Sequence, residues 1–170
     1  MPDFFSQSLA RNYDHALDEL RSALTDCPDE MWETDLWPDE APTQRRPDGG
    51  LAGSAPWLLA HHALVCLDYD LTGDFERFSA PPPFDESVWW VFPTRVFTKA
   101  EMLAYVDWCR NRVHEMTAAL TPELAARPLP AQHRYHGTPH GLIVSDGALH
   151  TMEHAAQIRQ FLRAAGIRPT

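Results

Sequence analysis

The row Met102, Val106, Cys109, Val113, Met116 and Leu120 most constrains what this chain can fold into. Apolar residues recur at alternating spacings of four and three, which places them on one stripe of an α-helix and rules out a strand, whose side chains alternate every second residue. Just before the row, Thr98-Lys99-Ala100-Glu101 reads as a capping box. A Thr oxygen and a Glu carboxylate can each satisfy an otherwise unpaired N–H of the first turn. Thr121-Pro122 closes the segment. A helix with one apolar stripe must bury it against other elements, so the chain needs partners for this one.

The same periodicity supplies them. Leu9, Tyr13, Ala16, Leu20, Ala23 and Cys27 predict a first helix from about Phe4 to Cys27, with Asp3 as a candidate cap and Pro28 as the stop. Asp14, Asp18, Glu19 and Arg21 fall on its other faces. Ser54, followed by Pro56, predicts the start of a second helix that ends near Gly73. Thr138-Pro139 predicts the start of a fourth, running to about Ala165 and ending at Gly166. The intervening stretches are rich in Pro and Gly: residues 29–53, 74–97 and 121–138. Strand signals are poor throughout. The expected architecture is all-α, a four-helix bundle over residues 1–170 as a single domain, with long connections between helices.

Long connections in a compact domain tend to cross over it or line a site. Trp89-Trp90-Val91-Phe92-Pro93 could cover a pocket mouth or fill the flank of the bundle.

The net charge of -10 argues against nucleic acid and anionic membrane surfaces as partners. No apolar run approaches a membrane span, and the N-terminal residues lack a signal-peptide pattern, so a cytoplasmic protein is expected. Cys27, Cys66 and Cys109 form no CxxC pair and read as small packing residues.

The chemistry-bearing residues are histidines. His150 and His154 lie four apart on the fourth helix, side by side on one face, where two imidazoles can chelate one metal ion. The inner face of that helix reads Ile143, Gly147, His150, His154, Gln157 and Phe161, a polar run between apolar ends. On the second helix, Leu58, His62, Cys66 and Tyr69 form one stripe. His62 thus falls inside an apolar row, while His61 shares a face with Asp68 and reads as the solvent residue. Three neutral imidazoles suffice for zinc or a similar divalent ion and leave positions open for water, substrate or a thiol. Gln157, one turn beyond His154, could hydrogen-bond at the site; Glu153 reads as a surface charge. His133, His136 and His140 cluster in sequence but lack regular structure to fix them. His150-Thr151-Met152-Glu153-His154 also matches the HxxEH pattern of inverted zinc proteases, but no Asp or Glu follows His154 to complete that ligand set.

Beyond the periodicity, the chain resembles the DinB-like family of bacterial four-helix proteins, the damage-inducible metalloprotein family. The residues that carry the resemblance are Pro56-Trp57, His62-Ala63-Leu64 with Leu67-Asp68-Tyr69, Arg95-Val96-Phe97-Thr98-Lys99, Glu101-Met102-Leu103-Ala104-Tyr105, Cys109-Arg110, and His150-x-x-x-His154-Ala155-Ala156-Gln157-Ile158. They span roughly residues 51 to 165. Tyr69-Asp70 departs from the paired aromatics more usual after the Asp, which bears on pocket shape. The resemblance implies a bundle in which one His of the second helix and two of the fourth bind a divalent metal, zinc or nickel. Carried onto this chain these are His62, His150 and His154, with His61, Tyr69, Glu153 and Gln157 as neighbours of the site; the adjacent pair leaves the register open between His61 and His62, and the apolar stripe favours His62. The family includes thiol-dependent transferases and isomerases that use mycothiol or bacillithiol, and dimers are common in it, so the resemblance points to a homodimer acting on a small molecule; with the open three-His site, the expected activity is a metal-dependent thiol transferase or hydrolase. The alternative is a stress-related bundle that binds a small ligand without turning it over.

Overall fold

The computed structural model describes residues 4–73, 78–84 and 92–168. Asp3, the candidate cap, and Trp89-Trp90-Val91 lie outside these residues. The fold is mostly α-helical, with several packed helices and long connections between them. Five helices occur among the described residues: α1 (Phe4–Asp26), α2 (Pro56–Thr72), α3 (Lys99–Ala119), α4 (Pro122–Ala126) and α5 (His140–Ala164). The four expected from periodicity are the long ones. The extra helix, α4, is five residues long and lies in the connection before α5. It is too short for a periodic stripe to reveal. A Thr121 oxygen accepting from the Leu124 N–H and a Pro in its first turn give it a start.

The long helices pack in a square. Both α1 and α2 lie against α3 and α5. The core between them is filled by side chains with almost no exposure, among them Leu17, Leu20, Trp57, Leu64, Met102 and Ile158. Across the α1–α5 seam the Tyr13 hydroxyl donates to the carbonyl oxygen of Val144. Gly147 makes this approach possible: a Cβ there would come within 2.4 Å of the Tyr13 oxygen. The capping box forms at the start of α3. Thr98 Oγ1 accepts the Glu101 N–H at 3.2 Å, and the Glu101 carboxylate accepts the Thr98 N–H at 2.8 Å. On the outer side, Arg110 of α3 pairs with Asp14 and Asp18 of α1, charges expected to lie off the apolar stripe.

Three expectations need correction. First, the loop after α1 is not without strands. Gln44–Arg45 (β1) pairs antiparallel with Leu51–Ala52 (β2), a hairpin too short for an alternating pattern to register. Second, Ser54 does not cap α2. The cap position is Ala55, and the buried Ser54 hydroxyl donates to the Ala41 carbonyl at 2.8 Å and accepts the Trp37 N–H at 3.1 Å. Its role is to tie the hairpin loop to the helix start. Third, the expected inner row of α5 holds only at its start: Ile143 and Gly147 are buried, but beyond them the buried residues are Ala148, Thr151, Ala155, Ile158 and Leu162, one residue on from the expected positions. His150, His154 and Gln157 therefore lie half-buried on the flank of α5 rather than at its centre.

The central element is α2. From Pro56 to Leu71 every residue is buried except His62. A helix apolar on all sides is expected to lie inside a fold, and α2 is enclosed by α3, α5 and the connecting segments. His62 is the single opening in that enclosure.

Candidate metal centre

Two helices build the site. α2 presents His62, and the flank of α5 presents His150 and His154, one turn apart as their spacing requires. The ring centroids of His62 lie 5.2 Å from those of both His150 and His154, and the latter two are 4.6 Å apart. One ring nitrogen from each residue falls within 4.8 Å of the other two. His150 Nε2 and His154 Nε2 face each other at 3.1 Å. Among the described residues this is the one group of three or more His, Cys, Asp or Glu side chains gathered closely enough to hold a metal ion.

Hydrogen bonding sets the tautomer of His154. Its Nδ1 lies 2.8 Å from Gln157 Oε1, and the Gln157 amide nitrogen points to Glu153 Oε1 at 3.5 Å. With the amide nitrogen directed at a carboxylate, the amide oxygen is left to accept from Nδ1–H. The lone pair of His154 is then on Nε2, inside the cluster. A metal-ligating His usually makes such a bond through its other ring nitrogen, which fixes ring orientation and raises basicity.

Electrostatics keep all three rings neutral. Burial, and then the neighbouring His154 and His150, push His62 down to about 4. Burial, then His154 and Arg134, push His150 down to about 4. His154 is lowered by burial, opposed by Gln157 and Glu153. One edge of His62 is open to solvent, while protein surrounds the rest of its ring. Neutral imidazoles are the ligating form, so protons do not compete for these nitrogens near neutral pH.

Beside the cluster is a cavity of about 290 Å³ with apolar walls. Leu58, Leu59 and Val65 of α2 form one side; Ala52 of β2 and Phe92-Pro93 form the other. His62 and His154 stand at its edge. The hairpin and the second connection thus line a cavity, and Phe92 and Pro93, the described part of the aromatic stretch, are on its wall.

In the adjacent pair His61-His62, the histidine in the cluster is His62, as expected, but the exposure of the two is the reverse of expectation. His61 is 3 % exposed, stacked on Phe97 at 5.2 Å and close to Phe84. It lines the cavity and is outside the cluster. His62, expected inside an apolar row, is the exposed one. The reason is the burial of α2 on every side: Asp68, the residue taken to mark the solvent face, is itself buried and accepts from Trp108 Nε1 at 3.1 Å. Of the other site candidates, Tyr69 is buried two turns away, stacked on His133 at 4.6 Å. Glu153 is on the surface. His133 and His140 are buried and His136 is exposed. His133 Nε2 lies 3.6 Å from Asp70 Oδ1, and His140 Nε2 lies 2.9 Å from the Asp70 carbonyl, so these histidines tie the last connection to the end of α2.

Sequence reasoning missed two neighbours of the cluster. Cys66 Sγ lies 3.7 Å from His62 Nδ1, and burial pushes its thiol up to about 12, so it stays protonated. Arg134 contacts the same sulfur, Nη1 to Sγ at 4.0 Å. The first is visible as an i, i+4 pair; the second sits in irregular chain, where spacing carries no signal.

The chain matches no protein-family model and no curated protein. Among the described residues, no helix is long and apolar enough to cross a membrane.

Proposed function

We propose that His62, His150 and His154 hold a divalent metal ion, zinc or nickel, and that the site serves a thiol-dependent transferase or hydrolase reaction of the DinB-like kind. The observation that carries this reading is the convergence of three neutral imidazoles at the one opening in α2, beside an apolar cavity. The donor set fits such an ion: three nitrogen ligands, one of them oriented by a hydrogen bond from behind, with the remaining positions free for a ligand from solution. The arrangement of a central helix supplying one His and a C-terminal helix supplying two accords with the DinB-like resemblance.

The chemistry supplied by such an ion is Lewis acidity, which turns a thiol or water into a nucleophile near neutral pH. The chain's own residues do the rest. Gln157 holds the His154 ring and its tautomer. The Cys66 thiol packs against the His62 ring, 3.7 and 3.9 Å from its two nitrogens. Leu58, Leu59, Val65 and Phe92 give a substrate's apolar part a dry wall. Leu142 and Leu149, both strongly exposed on α5, support a homodimer formed through that helix.

A second reading has its own support: among the described residues, the cavity lining includes no Asp, Glu, Lys or Tyr side chain to move protons. On that reading the bundle binds a small ligand and does not turn it over. The test is metal content of untagged protein, wild type against His154→Ala, followed by turnover. About one equivalent in the wild type and a large loss in the variant is expected. No stoichiometric metal after reconstitution rejects the metal centre. Metal and thiol binding without transfer to electrophiles, and without hydrolysis across an ester and amide panel, favours the binding protein.

A further inference from the structure

The β1–β2 hairpin grips the segment that walls the cavity. The Leu51 N–H of β2 donates to the Pro93 carbonyl at 2.8 Å, and Arg45 of β1 donates from Nη1 to the Thr94 carbonyl at 3.2 Å. In the turn between the strands, Arg46 Cζ lies 4.3 Å from the centroid of the Phe92 ring, and its guanidinium is paired with Asp48 at 3.2 Å. Gly50 backs Phe92 so closely that a Cβ at residue 50 would come within 2.6 Å of the Phe92 Cβ. Phe92 is 37 % exposed, yet these contacts fix where it stands. Ala52, at the end of β2, lines the same cavity. The hairpin is thus the frame of one cavity wall.

The chemistry of the lining is nearly all hydrocarbon. Its polar side chains among the described residues are His61, His62 and His154, and two of these belong to the cluster. No Asp, Glu, Lys or Arg lines it among those residues. A charged group placed there would give up its hydration and meet no counter-charge, whereas an apolar group gains by leaving water. Size adds a second limit. The cavity of about 290 Å³ is roughly twice the ~150 Å³ of a dry apolar cavity that takes benzene. It has room for one ring with a short substituent, or a compact alkyl group. A second fused ring would press on the wall that the hairpin holds in place.

We propose that the substrate of this centre carries a small uncharged apolar group, a single ring or a compact alkyl group, that fills the cavity, and that Phe92 sets the size of group admitted. The inference deepens the proposed function and rests on its placing of the reacting centre at the three histidines, whose His62 and His154 stand at the cavity edge. It makes Phe92 a specificity residue. It gives the hairpin a role as well: holding a wall at a set distance from α2. Substrates that would have to place a carboxylate, phosphate or ammonium in the cavity are excluded.

The experiment is fluorine NMR titration of fluorobenzyl alcohol, fluorobenzoate and a fluoronaphthyl methanol into the full chain, both zinc-loaded and metal-free, with zinc content measured in each preparation. Wild type is compared with Phe92→Ala, Phe92→Leu and Ala52→Leu, all checked for unchanged melting. On metal-free wild type the one-ring alcohol is expected to bind about tenfold or more tightly than fluorobenzoate, whose charge is desolvated without a partner. It should also bind more tightly than the two-ring alcohol. Phe92→Ala should shift the two-ring to one-ring ratio toward the larger probe by about fivefold or more, through the space opened. Phe92→Leu should give a smaller shift, and Ala52→Leu should weaken the one-ring alcohol by about fivefold or more through overpacking. The two alcohols should show the same ratios on zinc-loaded protein. Equal binding of the one-ring alcohol and fluorobenzoate on metal-free protein would overturn the proposal, as would no binding of any probe. A two-ring to one-ring ratio unchanged in both Phe92 variants would overturn the role of Phe92. Failure to take up zinc would reject the proposed metal centre, while the ratios on metal-free protein would still decide this inference.

Discussion

Gln157 Oε1 accepts from His154 Nδ1 at 2.8 Å, and its own amide nitrogen faces Glu153 at 3.5 Å. The two bonds form a short relay along the outer flank of α5 that ends on a ring directed into the cluster. Removing such a partner typically weakens metal affinity by about 10- to 100-fold. Gln157→Leu is therefore expected to weaken zinc binding by about that factor, read by competition with a chromogenic chelator, with little change in melting of the metal-free protein. An affinity equal to wild type would mean that His154 is oriented by packing alone.

His61 gives a pH dependence with a definite sign. Burial holds it at about 3 in the folded protein, against 6.5 for the ordinary side chain. Between those values the unfolded chain takes up a proton that the folded chain refuses. The contribution to stability is thus complete above about pH 6.5 and is lost as the pH falls toward 3. From pH 7 to pH 5 the loss from this one ring is about 2 kcal/mol. His61→Phe keeps the stack on Phe97 and removes the proton. Urea unfolding of metal-free protein at the two pH values should show a pH dependence smaller by about that amount in the variant; an identical difference would place the His61 ring in contact with water.

Much of the fold is legible in the sequence. The α3 stripe, its capping box and the α1 stripe all reappear where periodicity puts them, because each of these helices has one buried face and one wet one. The candidate centre is legible in part. The His150–His154 pair follows from helical spacing alone. Choosing between His61 and His62 does not, because α2 is buried all round and no solvent face exists to sort them. From His150 onward the register of α5 is off by one residue for a related reason: a polar run at a helix flank and one at its centre leave similar patterns. Arg134 and the β1–β2 hairpin are placed by tertiary packing of irregular chain, which local sequence does not encode in any period.

The α1–α5 seam depends on a missing side chain. A Cβ at residue 147 would meet the Tyr13 oxygen at 2.4 Å, while the next Tyr13 atom is at 3.4 Å. Gly147→Ala should cost about 1–3 kcal/mol by overpacking, despite the better helix propensity of Ala. The double variant with Tyr13→Phe should recover part of that loss, because the clashing atom is gone. Thermal unfolding of the four proteins of this cycle measures the coupling. Simple additivity would mean that α1 and α5 separate to accommodate the methyl.

At the start of α3, away from the site, Thr98→Ala should destabilise the protein by about 1 kcal/mol through loss of the cap, with zinc affinity unchanged. A fall in metal content in this variant would show that the centre depends on the whole bundle's rigidity and not on α2 and α5 alone.

The most direct measurement is anomalous diffraction from crystals of metal-reconstituted, untagged protein, collected on both sides of the absorption edge of the added ion. The account predicts one strong anomalous peak per chain, within bonding distance of a ring nitrogen from each of His62, His150 and His154. A peak elsewhere, or none at these three rings under conditions where the ion is in excess, would contradict it.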